Sequence, residues 1–452
     1  MRIFPSSALR AEVRANLRLA LPLLAAQLLF ISMGTVDTIV AGRLGAAPLA
    51  AVAVGSNLWF MLFVLFWGLF MAVSPIVAQR LGAGRPAAES GLFLRGTLGL
   101  AALLGVAWML SLLALIDPVL DLLQLEASTR GLAEGYLRAI APGALPFALF
   151  FALRNAAEGF GQTRATLWAG LTGFIVNTLL AIGLANGKWG LPALGPTGCG
   201  IATAIAGASM VAAFAVMYRW HPALRELRLY GRGGWHPGGA SAEVLRLGGP
   251  IALIITAEAW LFLIGALLMA RFGTDAVAAH QIAINFASIT FMVPMSIGMA
   301  TTVRVGYAAG AGDAAAVRLR GLSGIGLGAC FALVSASVMA LLPALVVTLY
   351  TDAPGVTELA VGFLYYAAVF QIADCVQATS NGALRGIKDT RVPMLITVAA
   401  YWLVGLPLAV ALAFQTRLGP SGIWVGFIAG LAVAALGLPL RFGRKTRSKH
   451  PL

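Results

Sequence analysis

Twelve apolar runs, each close to the length of a bilayer crossing, dominate this chain. A membrane-spanning helix takes about 20 mainly apolar residues. Such runs fall near 15–41, 52–78, 93–116, 133–157, 166–186, 197–218, 247–270, 279–303, 321–349, 358–384, 392–414 and 420–440. The breaks between them are short and rich in Gly and Pro, and alternating ten-residue strands of a β-barrel are missing. The expected fold is therefore an all-α polytopic membrane protein. Composition agrees, since 60% hydrophobic and 11% charged residues lie far outside the range of soluble domains. The first run is too long for a signal peptide and meets Asp37 before any soluble segment, so it counts as a span.

A net charge of +14 would suit nucleic acid if it were clustered on a soluble surface. It is spread by topology instead. Of the 31 Lys and Arg, only Arg43, Arg130, Arg138, Lys188, Arg271 and Arg417 lie on one side of the expected spans; the rest fall at the two termini and the even-numbered breaks. The positive-inside rule then puts both termini in the cytoplasm. Cys199, Cys330 and Cys375 sit in apolar spans and read as packing residues, and the four histidines are scattered, with no metal-ligand spacing. No nucleophile and base are paired, so enzyme chemistry has no support. No cofactor is expected.

The chain repeats itself. "RLALP" at 18–22 matches "RLGGP" at 246–250, and the same offset of 228 pairs Arg43 with Arg271, Asn57 with Asn285, Met71 with Met299 and "GAG" at 82–84 with "GAG" at 310–312. With small shifts, "GFGQTR" at 159–164 matches "GIKDTR" at 386–391, and "LGPTG" at 194–198 matches "LGPSG" at 418–422. Two six-span halves starting on the same side are parallel repeats, related by a pseudo-two-fold axis along the membrane normal. The expected domains are an N-lobe at 1–225, a basic Gly/Pro-rich cytoplasmic linker at 226–240 and a C-lobe at 241–452. The "GAG" turns follow membrane helices and lack the Lys of a P-loop, so they are turns and nothing more.

Three acids fall inside the expected spans: Asp37, Glu258 and Asp374. Intramembrane carboxylates are expensive and mark ion or substrate pathways unless a structural partner holds them. No basic residue within the spans offers itself as that partner. Glu258 has apolar helical neighbours in Ile254, Ile255, Leu261 and Phe262, which suits a proton carrier. Asp374 shares a helical face with Gln371, Gln377 and Asn381, a polar stripe whose oxygens would also suit Na⁺. In the eighth span Gln281 and Asn285 lie one turn apart, with Met292, Met295 and Met299 beyond them. A cavity role competes there with ordinary helix packing. Trp59, Phe63, Phe66, Trp67 and Phe70 make an aromatic stripe in the second span; it suits packing, and it also suits flat organic cations. Asn177 and Thr203 are lone polar residues that suit either an approach to Asp37 or ordinary interhelical hydrogen bonding.

"VDTIVAGRLG", "VAAHQIAINFASITFMVPMSIGMATTVRVG", "QIADCVQATSNGALRGIKDT" and "YWLVGLPLA" resemble the NorM-type branch of the multidrug and toxic compound extrusion (MATE) family, in the same order and across both halves. The resemblance implies twelve transmembrane helices in two six-helix lobes around a central cavity. It also implies a secondary antiporter of the bacterial inner membrane that exports organic cations in exchange for H⁺ or Na⁺, working as a monomer. By the same resemblance, Glu258 and Asp374 would bind the coupling ion in the C-lobe, including any Na⁺, with Asp37 and Asn177 as the N-lobe site. Gln281, Asn285, Asp37, Asp352, Phe370 and Gln371 would line the substrate cavity. Phe370 stands where some relatives have Tyr, and Ala181 where some have a second amide. Both departures remove Na⁺ ligands and lean toward a proton. A lipid-linked precursor flippase of the same superfamily is the alternative; it would need Arg or Lys in the cavity, whereas the mid-span residues here are acidic or neutral.

Overall fold

A computed structural model describes residues 5–231 and 237–447; part of the expected linker, 232–236, and the chain ends at 1–4 and 448–452 lie outside the described residues. Twelve helices in it are long and apolar enough to cross a membrane. Spans one to six are Ser6–Leu44, Ala46–Gly82, Ala87–Leu122, Ala127–Gly159, Thr163–Asn186 and Pro196–Trp220. Spans seven to twelve are Gly238–Phe272, Thr274–Gly310, Ala314–Leu341, Pro354–Gly386, Arg391–Gln415 and Ser421–Arg447. In hydrocarbon a helix satisfies every backbone group within its own segment, and among the described residues no strand competes.

Proline and glycine set where the helices start and break. Pro196 and Pro354 open the sixth and tenth spans at a position where no amide hydrogen is needed. Within the second span the helix lapses at Met71 and Ala72 and resumes at Val73, and Pro75 has no N–H to give the Met71 carbonyl. The eleventh span passes through a π-helical stretch, Ala400–Gly405, just before Pro407, which likewise cannot donate to Leu403.

The repeat persists in backbone conformation. Gly45 and Gly273 have φ of 128° and 95°, Gly84 and Gly312 69° and 70°, and Gly195 and Gly419 56° and 55°. Lys388 adopts φ 57° where its repeat partner Gly161 has 76°, so the turn geometry is kept even where glycine is not.

The described chain forms two compact units. One comprises residues 22–77 and 85–252. Its aromatic centre is the stripe of the second span: Trp59 and Phe66 stack on Trp108 with ring centroids 4.4 and 5.1 Å apart, and Phe63 meets Phe147 and Phe151 edge-on. Trp59, Phe63 and Phe70 are buried, which gives them a packing role.

The other unit comprises 253–452 together with 1–21 and 78–84. There Glu12 of the first span holds Arg304 of the eighth by a two-pronged ion pair, with Arg304 Nη2 donating to Oε2 at 2.6 Å, and Asn16 donates to Thr301 at 2.9 Å. Gly82 lies against the Tyr307 carbonyl and Gly310 against the Gln79 carbonyl, two contacts related by the 228 offset in which no methyl group fits. Spans eight and ten meet at Gly298 and Gly382, where Thr302 Oγ1 donates to the Gly382 carbonyl at 2.8 Å. This contact fixes the tenth span, which carries the polar stripe.

Candidate ion-coupling sites

Each unit holds a buried carboxylate that has no ion-pair partner among the described residues. In the unit of residues 253–452 the tenth span brings Asp374, Gln377 and Asn381 onto one face at helical spacing. Gln377 is the hub. Its Nε2 donates to Glu258 Oε2 of the seventh span at 3.2 Å and to the Tyr401 hydroxyl oxygen of the eleventh at 2.8 Å, while its Oε1 accepts from Asn381 at 2.6 Å. Tyr401 is thereby tied through Gln377 to Glu258 and lies close enough to it for the two groups to interact. Asp374, 3% exposed, lies one turn before Gln377 and near enough to Glu258 for their charges to interact, yet its Oδ1 has no partner among the described residues. Glu258 itself is half-buried. Phe370, one turn before Asp374, is enclosed between Phe262 and Trp424 and keeps this side of the cluster apolar.

In the other unit, Asp37 accepts from Asn177 at 3.3 Å through Oδ1 and from Thr203 at 2.9 Å through Oδ2, and Asn177 also donates to Thr203 at 3.1 Å. All three are carried by different spans, the first, fifth and sixth.

Both sites share one chemical character. The atoms that touch each carboxylate are amide N–H and hydroxyl O–H groups, which donate. Such donors compensate a negative charge in a dry setting, and a proton can join the same oxygens without rebuilding the surroundings.

The remaining expected residues are elsewhere. Gln281 and Asp352 are exposed, and Asn285 is exposed and accepts from the Tyr350 hydroxyl at 3.0 Å. Phe370 and Gln371, expected to face substrate, are fully enclosed, with Gln371 donating to the Cys375 sulfur. Cys199 and Cys375 pack inside as expected, but Cys330 is exposed.

No ion pair reaches Asp37, Glu258 or Asp374 among the described residues, but the spans do hold a basic residue, Arg154, paired with another acid. This residue of the fourth span is buried and donates from Nε to Glu158 at 2.7 Å and from Nη2 to Gln27 at 3.0 Å, and Thr166 completes the carboxylate at 3.2 Å. Glu158 is thus a buried acid that apolar length leaves outside the expected spans, and a clamped one, as is Glu12. Tyr401 was also missed. Its signal was available: a lone aromatic hydroxyl within a span, four residues before Gly405 and six before Pro407, where a helix is prone to deform.

Twelve apolar helices in two repeats, with charge-bearing side chains held inside each unit, define a polytopic membrane transporter. The MatE family profile matches residues 22–182 and 250–411, two segments that begin 228 residues apart, as the internal repeat does. The chain belongs to the MatE family. It is 38% identical to the multidrug resistance protein PmpM of Pseudomonas aeruginosa over 453 residues, covering 97% of this chain and 93% of that one. Its fold matches the eukaryotic MATE transporter AtDTX14 with a TM-score of 0.87 at 19% identity, over 97% and 99% of the two chains. It also matches the bent form of the Vibrio cholerae MATE transporter VcmN with a TM-score of 0.86 at 20% identity, over 98% of each. The chain is accordingly a membrane transporter and not an enzyme.

Proposed function

We propose that this protein is a proton-coupled multidrug antiporter of the bacterial inner membrane, exporting organic cations as a monomer with both termini in the cytoplasm. The single observation that carries the coupling is that Glu258 and Asp374 converge on Gln377, inside the spans and without a basic partner among the described residues. A drug cation and a proton then compete for the same negative charge. Protonation of Glu258 and Asp374 removes the attraction and releases the drug; loss of the protons restores it. Asp37, with Asn177 and Thr203, serves as a second proton site in the N-terminal half. The lobes that carry these sites are 1–225 and 241–452, joined by 226–240.

The choice of a proton over Na⁺ is supported by the donor character of the ligands. A desolvated Na⁺ needs several oxygen lone pairs, whereas Gln377 turns an N–H toward Glu258, and Asn177 and Thr203 turn N–H and O–H toward Asp37. Kinship with PmpM supports a multidrug role. Gln281, Asn285 and Asp352, being exposed, are the side chains assigned to substrate, and Phe370 and Gln371 back the carboxylates from within. Each charge moved across the membrane supplies about 2.3 kcal/mol per 100 mV.

The test is transport in proteoliposomes under a pH gradient or a Na⁺ gradient applied separately, followed with ethidium. Movement of ethidium under the pH gradient alone is expected. Movement under the Na⁺ gradient alone overturns the proton assignment, and movement under neither overturns the antiporter.

A further inference from the structure

We propose that the pocket at the end of the sixth span binds the headgroup of an anionic phospholipid. The cavity, about 440 Å³, is lined by Tyr218, Arg219, Trp220, Arg225, Arg228 and Tyr230 among others, with no acidic side chain in its wall. Three guanidinium groups therefore surround one concavity, and among the described residues none of them has an ion-pair partner. A bias of basic residues toward one membrane face accounts for their presence, but it does not account for their convergence.

The pocket is built. The turn that carries Arg228 is pressed onto the third span, where the Leu227 carbonyl occupies the space a methyl group would take at Gly91. Arg95 of that span donates from Nε to the Leu229 carbonyl at 2.7 Å and also holds the Arg228 carbonyl. The Tyr230 hydroxyl donates to the Ala215 carbonyl at 3.0 Å, tying the same turn to the sixth span. The backbone of 227–231 is thereby fixed and the arginine side chains are left exposed around it.

Phosphate is the ligand chemistry that guanidinium groups recognise best, through paired N–H donors. A lipid, and not free phosphate, is the source favoured here because the pocket opens at the end of a membrane span, beside the exposed rings of Trp220 and Tyr230. Aromatic rings of this kind settle at headgroup depth, and basic pockets at the cytoplasmic ends of spans suit acidic headgroups.

The experiment is native mass spectrometry of the full chain purified with an equimolar mixture of phosphatidylglycerol and phosphatidylcholine, with inorganic phosphate added in a parallel sample. Preferential retention of phosphatidylglycerol is expected. That preference should fall by roughly fivefold for each guanidinium removed in Arg219→Gln and Arg225→Gln, and persist when Arg444 and Arg447 of the last span are changed to Gln. Thermal melting of the variants in detergent should match the parent, since both arginines are exposed; replacement of the pair by Lys, which keeps the charge, should retain most of the binding. Equal retention of the two lipids, a preference unchanged in the Gln variants, or displacement by inorganic phosphate at the lipid's own concentration overturns the proposal.

Discussion

Asp374 and Glu158 are both acids enclosed within spans, and their neighbours separate their roles. Glu158 is met by Arg154 and Thr166, and its charge is balanced for good. Asp374 has an oxygen with no partner among the described residues and another acid close by. Breaking a buried ion pair on one side strands the other charge, which costs about 3–5 kcal/mol. Arg154→Ala is therefore expected to lower the thermal midpoint in detergent sharply, and the joint change Arg154→Met with Glu158→Leu to recover most of it. Asp374→Asn and Glu258→Gln should do the opposite: folded, monodisperse protein at parental yield with ethidium export abolished. Full export by both would remove the coupling role from these residues. The Arg154 pair was legible in the sequence, because Arg154 and Glu158 are one helical turn apart. Apolar length alone ends the fourth span at 157, which leaves Glu158 in a loop and Arg154 among the loop charges and so hides the pair.

At the level of elements, the eleventh span shows how a helix irregularity aims a side chain. A π-helical stretch holds an extra residue per turn, so the segments on its two sides are rotated by about 100° relative to a continuous α-helix. Tyr401 lies within that stretch and accepts from Gln377, the residue that also holds Glu258. Pro407 sustains it by leaving the Leu403 carbonyl without its ordinary donor. Pro407→Ala should let the regular helix close, turn the hydroxyl away and lower export, while Tyr401→Phe should lower export by roughly tenfold, because the buried Gln377 N–H loses its acceptor. Comparable transport rates in parent and both variants would mean that Tyr401 is only packing. Periodicity marked the eleventh span as a helix, but periodicity assumes an unbroken 3.6-residue turn, so it is blind to a one-residue insertion and to the side chain that the insertion redirects.

Across the whole molecule, the twelve spans and the 228-residue repeat were legible because both depend on local pattern: apolar length for the spans, and matched Gly and Pro turns for the repeat. The allotment of segments to units was not. Residues 1–21 and 78–84 cluster with 253–452, although they belong to the first half of the sequence. Ala20 packs beside Ile297 and Ala300, and an Ala or Leu at such a position fits either half equally well on hydrophobic grounds. Glu12 with Arg304 and Arg320, Asn16 with Thr301, and Gln79 with the Gly386 carbonyl make the choice specific, and a charge pair 292 residues apart leaves no local trace. A consequence is that residues 253–452 cannot complete their own unit. Expressed alone, a fragment of residues 237–452 lacks the Glu12 partner of Arg304, the Gln79 side chain that donates to the Gly386 carbonyl at 2.8 Å, and the backbone that seats Gly310. It is expected to be protease-labile in membranes, and co-expression with residues 1–231 should recover both fragments as one resistant complex. Glu12→Ala in the first fragment should weaken that recovery, because Arg304 is left partly buried without its carboxylate. If the 237–452 fragment by itself resisted protease as the intact chain does, the segments from the first half would be bystanders, and the halves would fold as independent domains.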